Sequence, residues 1–172
     1  PGQRPRCGGG RRRYSESHRR VAEALWWGGE ERGGTLRGRL RVNGVTVGDG
    51  HGFVTAGQIQ EEMYGMVEYS RYLYDVFGVT ASAQLSTRPE KRLGTDEQWD
   101  RAEAALEAAL TRHQMDYVIS PGEGTFYGPK IDLHMTDSLG RSWQMGTIQL
   151  DYQMPTRFGL TYFGADNTEH DP

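Results

Sequence analysis

"GEGTFYGPKIDLHMTDSLGRSWQMGTIQLDYQMPTRF", residues 122–158, decides how this chain folds. Apolar and polar residues alternate at 129–136 and again at 141–151, on either side of "DSLGR". That pattern predicts two strands joined by a turn. The opening segment, "GEGTFYGPK" (122–130), invites a different reading, as a loop that cradles phosphate. Its spacing excludes the two common loops of that kind. Gly122, Gly124 and Gly128 are one residue out of the G-x-G-x-x-G register. A Walker loop needs lysine directly after its last glycine, then serine or threonine, whereas Pro129 separates Gly128 from Lys130 and Ile131 follows. Glycine and proline mark turns far more often than ligands, so the segment reads as a turn between strands.

Polar residues fall inside these strands where a one-sided sheet has room for few. Tyr127, Lys130, Asp132, His134, Gln144 and Gln149 sit among apolar neighbours. An odd interval on a regular strand would put Gln144 and Gln149 on opposite faces, and a bulge or turn near Gly146 would bring them together. The plain alternative is a solvated sheet face. Upstream, Asp49 and His51 in "GDGHGF" stand two apart, on one face of a strand. Both are possible zinc ligands, but a zinc site needs three or four protein ligands. His113, His134 and His170 have no ligand-like spacing to one another.

Working outward, 81–87 reads as a short strand, and two helices are announced by their starts. Thr55 with Gln58, and Thr95 with Gln98, are spaced as capping boxes. The first helix carries Ile59, Met63, Met66, Leu73 and Phe77 as one apolar stripe and stops at Gly78. The second buries Trp99, Ala102, Leu106 and Leu110. Further strands are expected at 116–120 and 158–164, and 36–54 alternates as a strand paired antiparallel to a preceding one through a polar loop. Helices grouped between strands, with hairpin-like links at the end, give an α+β class: an antiparallel sheet flanked by helices.

The 172 residues suffice for one ordinary domain or a piece of a larger one. A hydrophobic fraction of 35% and 24 glycines describe a polar, loop-rich chain whose core comes from a few segments. The net charge of −3 hides an Arg-rich start. Residues 1–13 form a Gly/Arg-rich, poorly packed segment, and 14–172 the folded body. The start could be a phosphate-binding arm, but it lacks the interleaved aromatics that stack on bases. Cys7 is the sole cysteine, so no internal disulfide forms. No apolar run is long enough to cross a membrane and no charged-then-apolar leader is present, so the expected location is cytoplasmic.

Taken together, "LSTRPEKRLGTDEQWDRAEAAL" (85–106), residues 122–158 and "YFGADN" (162–167) resemble the catalytic core of the threonyl-tRNA synthetases, a class II aminoacyl-tRNA synthetase family. "RVNGVTVGDGHGF" (41–53) is similar to that family's RVRGFTQDDAHIF strand. The resemblance implies an internal fragment of a class II catalytic domain whose parent, a homodimer, makes threonyl-AMP from ATP and threonine and transfers threonine to tRNA(Thr), with zinc and with magnesium carried by ATP. It further implies that Tyr127 and Gln149 line the amino-acid side of the pocket and that Lys130 and Gln144 position the adenylate. Arg41 would meet ATP phosphates, Glu31 the adenine, Asp49 the threonine amino group, and His51 would be one zinc ligand. Of the other two ligands, the cysteine would immediately precede Pro1 and the histidine would follow Pro172. Gly29, Val47 and Gly48 depart from the family's arginine, glutamine and first aspartate. Those departures leave open a second reading, a catalytically inactive tRNA-binding or subunit-interaction module. They also fit an error-bearing translation of a synthetase gene. On either reading Tyr127, Lys130, Gln144 and Gln149 should converge on an open polar sheet face, with Asp49 and His51 supplied by the neighbouring strand.

Overall fold

A computed structural model describes residues 19–29, 41–164 and 166–170. The expectations for 1–13, for Glu31 and for a strand beginning at 36 lie outside the described residues. Strands β1 (Arg19–Gly28) and β2 (Gly44–Phe53) form an antiparallel two-stranded sheet in which Arg20 faces Gly52 and Val21 faces His51. Helix α1 (Ile59–Val76) follows after a single tight turn at Ala56–Gln58. There the Gln58 side-chain oxygen accepts from the Thr55 N–H at 2.9 Å and from the Thr55 hydroxyl at 3.1 Å. Helix α2 (Asp96–Arg112) starts with the full reciprocal box. Gln98 N–H donates to the Thr95 hydroxyl at 3.3 Å, and Thr95 N–H donates to the Gln98 side chain at 3.0 Å.

The main sheet has four strands in the order β4-β3-β5-β6, with β3 at Ala81–Ser86, β4 at Tyr117–Ser120, β5 at Lys130–Thr136 and β6 at Ser142–Gln149. β5 is antiparallel to both neighbours and β4 lies parallel to β3, so the sheet is antiparallel in the main, as expected, with one parallel pair at its edge. The reason is α2: two parallel strands need a crossover, and α2 provides it. The expected strand at 158–164 shrinks to β7 (Tyr162–Phe163), paired with β8 (Glu169–His170), because the short helix α3 (Met154–Arg157) and a left-handed turn at Gly159 take up the preceding residues.

One face of the sheet is apolar. Ala83, Leu85, Ile131, Leu133 and Ile148 are buried together with Ile59, Met63 and Val67 of α1 and Ala102, Leu106, Ala109 and Leu110 of α2. Fully burying one such leucine stabilises the fold by about 1.5–3 kcal/mol. The α1 stripe is buried over its first half only. Leu73 and Phe77 are exposed, as are Tyr69, Tyr72 and Val76, so the second half of that stripe is not core.

The β5–β6 turn is fixed by Asp137. Its Oδ1 accepts from the N–H groups of Leu139 and Arg141, each at 2.9 Å, and its Oδ2 from Arg141 Nε at 2.7 Å and Trp143 Nε1 at 3.0 Å. The Arg141 N–H and the Trp143 indole hold this carboxyl well below the usual carboxylate range.

Candidate functional site: a polar sheet face and a Glu–Asp–His cluster

Strand alternation puts the second face of the main sheet to polar use. Register pairs Ser82 with His134, Gln84 with Asp132 and Ser86 with Lys130 on one side of β5, and Asp132 with Thr147 and Lys130 with Gln149 on the other. The register shifts between Leu133 and His134: Leu133 pairs with Gly146 while His134 pairs with Gln144. Met145 is therefore the extra residue of a bulge beside Gly146, which turns Gln144 onto the face that carries Gln149.

At the centre of this face lies Asp132, 3% exposed. Its Oδ2 takes Lys130 Nζ at 2.7 Å and the Ser86 hydroxyl at 3.0 Å; its Oδ1 takes Gln144 Nε2 at 2.7 Å and the Thr147 hydroxyl at 3.2 Å. A buried carboxylate is tolerated only when so compensated. Beside it, the Tyr127 hydroxyl donates to Gln149 Oε1 at 3.1 Å. Tyr127, Lys130, Gln144 and Gln149 thus share one surface, and Gln144, Thr147 and Gln149 are open to solvent. A crevice of about 160 Å³ beside Tyr127 is lined by Trp99, Pro129, Tyr152 and Gln153. Burial pushes the Tyr152 phenol above its ordinary range. A larger hollow, at the ends of α1 and β5, is lined by residues that include Arg71, Tyr74, Gln114 and Met135 and holds none of the expected site residues.

The 122–130 segment forms no phosphate cradle. Gly124 N–H donates to Thr87 O at 2.8 Å, and Thr125 N–H donates to Gly128 O at 3.1 Å. Its glycines serve close approach: a Cβ on Gly128 would stand 1.9 Å from Leu150 O, and one on Gly124 2.6 Å from Thr87 O. The segment approaches the backbone of Thr87 and Leu150 closely and delivers Tyr127 and Lys130 to the polar face.

Asp49 and His51 occupy a different sheet. Among the described residues β2 is hydrogen-bonded to β1 and not to the four-stranded sheet, so the expected neighbouring strand that supplies Asp49 and His51 belongs to a separate sheet. The β1–β2 hairpin is tied to α1 by Arg20, whose Nε and Nη2 donate to the two carboxylate oxygens of Glu62 at 2.8 Å each. That pair raises the Arg20 pKa through its hydrogen bonds and charge. Arg20 and Gly52 face α1, so Asp49 and His51 are on the opposite face with Glu23. Glu23 Oε1 lies 3.1 Å from His51 Nε2, and ligand atoms of Glu23, Asp49 and His51 all lie within 4.8 Å of one another. One imidazole and two carboxylates make a donor set that zinc accepts, with room for further ligands. Arg41 is exposed immediately upstream of β2.

Sequence reasoning missed Glu23, Ser86 and Thr147 as members of these groups. It noted Asp132 without assigning it a role, although its place two residues from Lys130 on one strand was signal enough. Nothing in the sequence near Glu23 points to His51, because the pairing depends on hairpin register.

The tRNA synthetase class II core domain (G, H, P, S and T) matches residues 29–172. The threonine–tRNA ligase of Desulforamulus reducens is 50% identical over 142 residues, covering 83% of this chain and 22% of that protein. The threonine–tRNA ligase of Desulfatibacillum aliphaticivorans is 45% identical, covering 96% of this chain and 27% of its own length. Among solved structures, one described as the RNA binding domain of threonyl-tRNA synthetase from Cryptosporidium parvum Iowa II superposes with a TM-score of 0.81 at 40% identity, over 92% of this chain and 40% of that one. The chain therefore spans about a quarter of the length of the curated relatives it matches.

Proposed function

This chain belongs to the class II core family of tRNA synthetases, and from that premise we propose that it is the middle of the catalytic domain of a threonine–tRNA ligase. In the parent reaction the threonine carboxylate attacks the α-phosphate of ATP, pyrophosphate leaves, and the threonyl group then passes from AMP to a terminal hydroxyl of tRNA(Thr). The observation that carries the reading is the polar face itself: Tyr127, Lys130, Gln144 and Gln149 gathered on an open sheet surface around one compensated carboxylate. Such preorganised donors and acceptors suit a reaction whose main demand is placement and charge neutralisation.

In this scheme Tyr127 and Gln149 line the threonine side, and Lys130 and Gln144 hold the adenylate. Arg41 meets ATP phosphates that arrive with magnesium, and Glu31 meets adenine. On the hairpin, Asp49 accepts a hydrogen bond from the threonine amino group. His51 is the imidazole ligand for zinc, with Glu23 as the adjacent carboxylate. Zinc, when bound, would supply a Lewis acid that could take the amino and hydroxyl groups of threonine, which would select against valine because a methyl cannot coordinate a metal. The parent works as a cytoplasmic homodimer. No helix among the described residues is long and apolar enough to cross a membrane.

A second reading, an inactive tRNA-binding or subunit-interaction module, is favoured by Gly29, Val47 and Gly48, none of which supplies a polar side chain where the family has one. A chimera separates the two. Residues 29–164, which include Gly29, Val47 and Gly48, replace the matching segment of the Desulforamulus reducens ligase, and threonine-dependent ATP–pyrophosphate exchange is measured. Exchange near the parental rate supports the ligase reading of this segment; a folded chimera without exchange contradicts it.

A further inference from the structure

We propose that Asp132 is a positioning residue that fixes Gln144 as a hydrogen-bond acceptor toward the ligand; the inference rests on the polar face being the adenylate-binding surface.

An ionised carboxylate accepts only, and a primary amide carries two N–H donors on its nitrogen and an acceptor on its oxygen. Asp132 Oδ1, 2.7 Å from the Gln144 amide, can be satisfied only by the nitrogen end. The same nitrogen lies 2.9 Å from the Thr147 hydroxyl, so both of its hydrogens are committed along the sheet. Thr147 in turn donates to Asp132 Oδ1 at 3.2 Å, which leaves its oxygen lone pair to receive Gln144. The three groups form a closed triangle that a flipped amide would break at two edges. Gln144 Oε1 is what remains for a ligand, so the group it meets must be a donor, a hydroxyl or an amine, and not a phosphate or carboxylate oxygen. On the other side Asp132 Oδ2 holds Lys130 Nζ at 2.7 Å and the fully buried Ser86 hydroxyl at 3.0 Å. One buried carboxylate thereby sets a cation for the anionic part of the ligand and an acceptor for its donor part, four residues apart on the paired strands. The bulge at Gln144 and Gly146 is what brings the amide within reach.

The test compares the full chain with Asp132→Asn, which keeps the shape but offers one acceptor and one donating NH2 in place of two acceptors. The first readout needs no ligand: side-chain amide resonances of Gln144 by nitrogen-edited NMR. In the wild type both Gln144 amide protons should exchange slowly with water, with one shifted downfield by the charged acceptor. Solvent-like Gln144 resonances in the wild type would overturn the inference without reference to any variant. In Asp132→Asn the downfield shift should vanish, because no charged acceptor remains, while resonances of Leu106 and Leu110 stay in place; a retained downfield shift in a folded variant would also overturn it. The second readout is calorimetric titration with a non-hydrolysable threonyl-adenylate analogue carrying a sulfamate in place of the phosphate. Loss of a charged hydrogen-bond partner predicts weaker binding in Asp132→Asn by about tenfold to a hundredfold. Equal affinity for the two proteins would contradict the positioning role. A wild type that fails to bind the analogue would count against the adenylate reading, and the ligand-free readout would still decide the part played by Asp132.

Discussion

Replacing Gly128 with alanine tests whether the glycines of 122–130 serve backbone packing. The added Cβ would stand 1.9 Å from the Leu150 carbonyl oxygen, where real contacts of this kind stay beyond 3.0 Å. The obstacle is main chain, so no rotamer relieves it, and the two backbone segments must part by about 1 Å to reach an ordinary contact. That movement strains the Leu150 N–H bond to Pro129 O, now 3.3 Å long. Overpacking of this kind costs about 1–3 kcal/mol and a lost hydrogen bond about 0.5–1.5 kcal/mol, so the substitution should destabilise the fold by about 1.5–4.5 kcal/mol. Urea denaturation measures it as a lower midpoint with an unchanged slope. Gly57→Ala is the control: its Cβ would meet nothing within 4 Å, and its effect should stay within about 0.5 kcal/mol. A Gly128→Ala protein that unfolds with the wild type would refute the reasoning.

Other expectations follow from the same structure. Leu106→Ala, at a side chain 0% exposed between α2 and the sheet, should cost about 2–5 kcal/mol by the same assay. Thr95→Ala removes half of a working capping box and should cost about 0.5–2 kcal/mol. Asp137 is held below the ordinary carboxylate range in the fold, so its contribution is complete above its unfolded value. That contribution is lost as pH falls, from about pH 5 downward; thermal melts against pH should show Asp137→Asn flattening the acid side of the curve. Zinc titrated into the chain should bind at His51 with Glu23 beside it. His51→Ala should weaken that binding by more than the roughly 10–100-fold lost with an outer partner, and calorimetry showing no difference would dissociate His51 from the metal.

What the sequence disclosed was what local chemistry governs. Thr95 and Gln98 announced the start of α2 because a capping box is a four-residue event, and Gly146 announced the bulge because an odd interval between two glutamines on one face demanded one. Features set by long-range packing stayed hidden. The parallel run of β4 along β3 follows from where α2 docks, and a four-residue strand carries no mark of its direction. Leu73 and Phe77 continue the α1 periodicity beyond the stretch that the sheet and α2 cover, so spacing alone overstated the core. Glu23 meets His51 across the hairpin, at a separation of 28 residues, through a register that weakly patterned strands do not reveal. The roles given to Tyr127, Lys130, Gln144 and Gln149 came from resemblance, whereas Asp132, which organises two of them, needed the strand pairing to be seen.

The measurement that bears most directly on the central claim is chemical-shift mapping of the chain with the sulfamate analogue of threonyl-adenylate. The account predicts perturbations at Tyr127, Lys130, Gln144, Thr147 and Gln149, with the apolar face at Ile131, Leu133 and Ile148 shifting little. Saturable shifts confined to other surfaces, with Tyr127 and Gln149 unmoved, would contradict it.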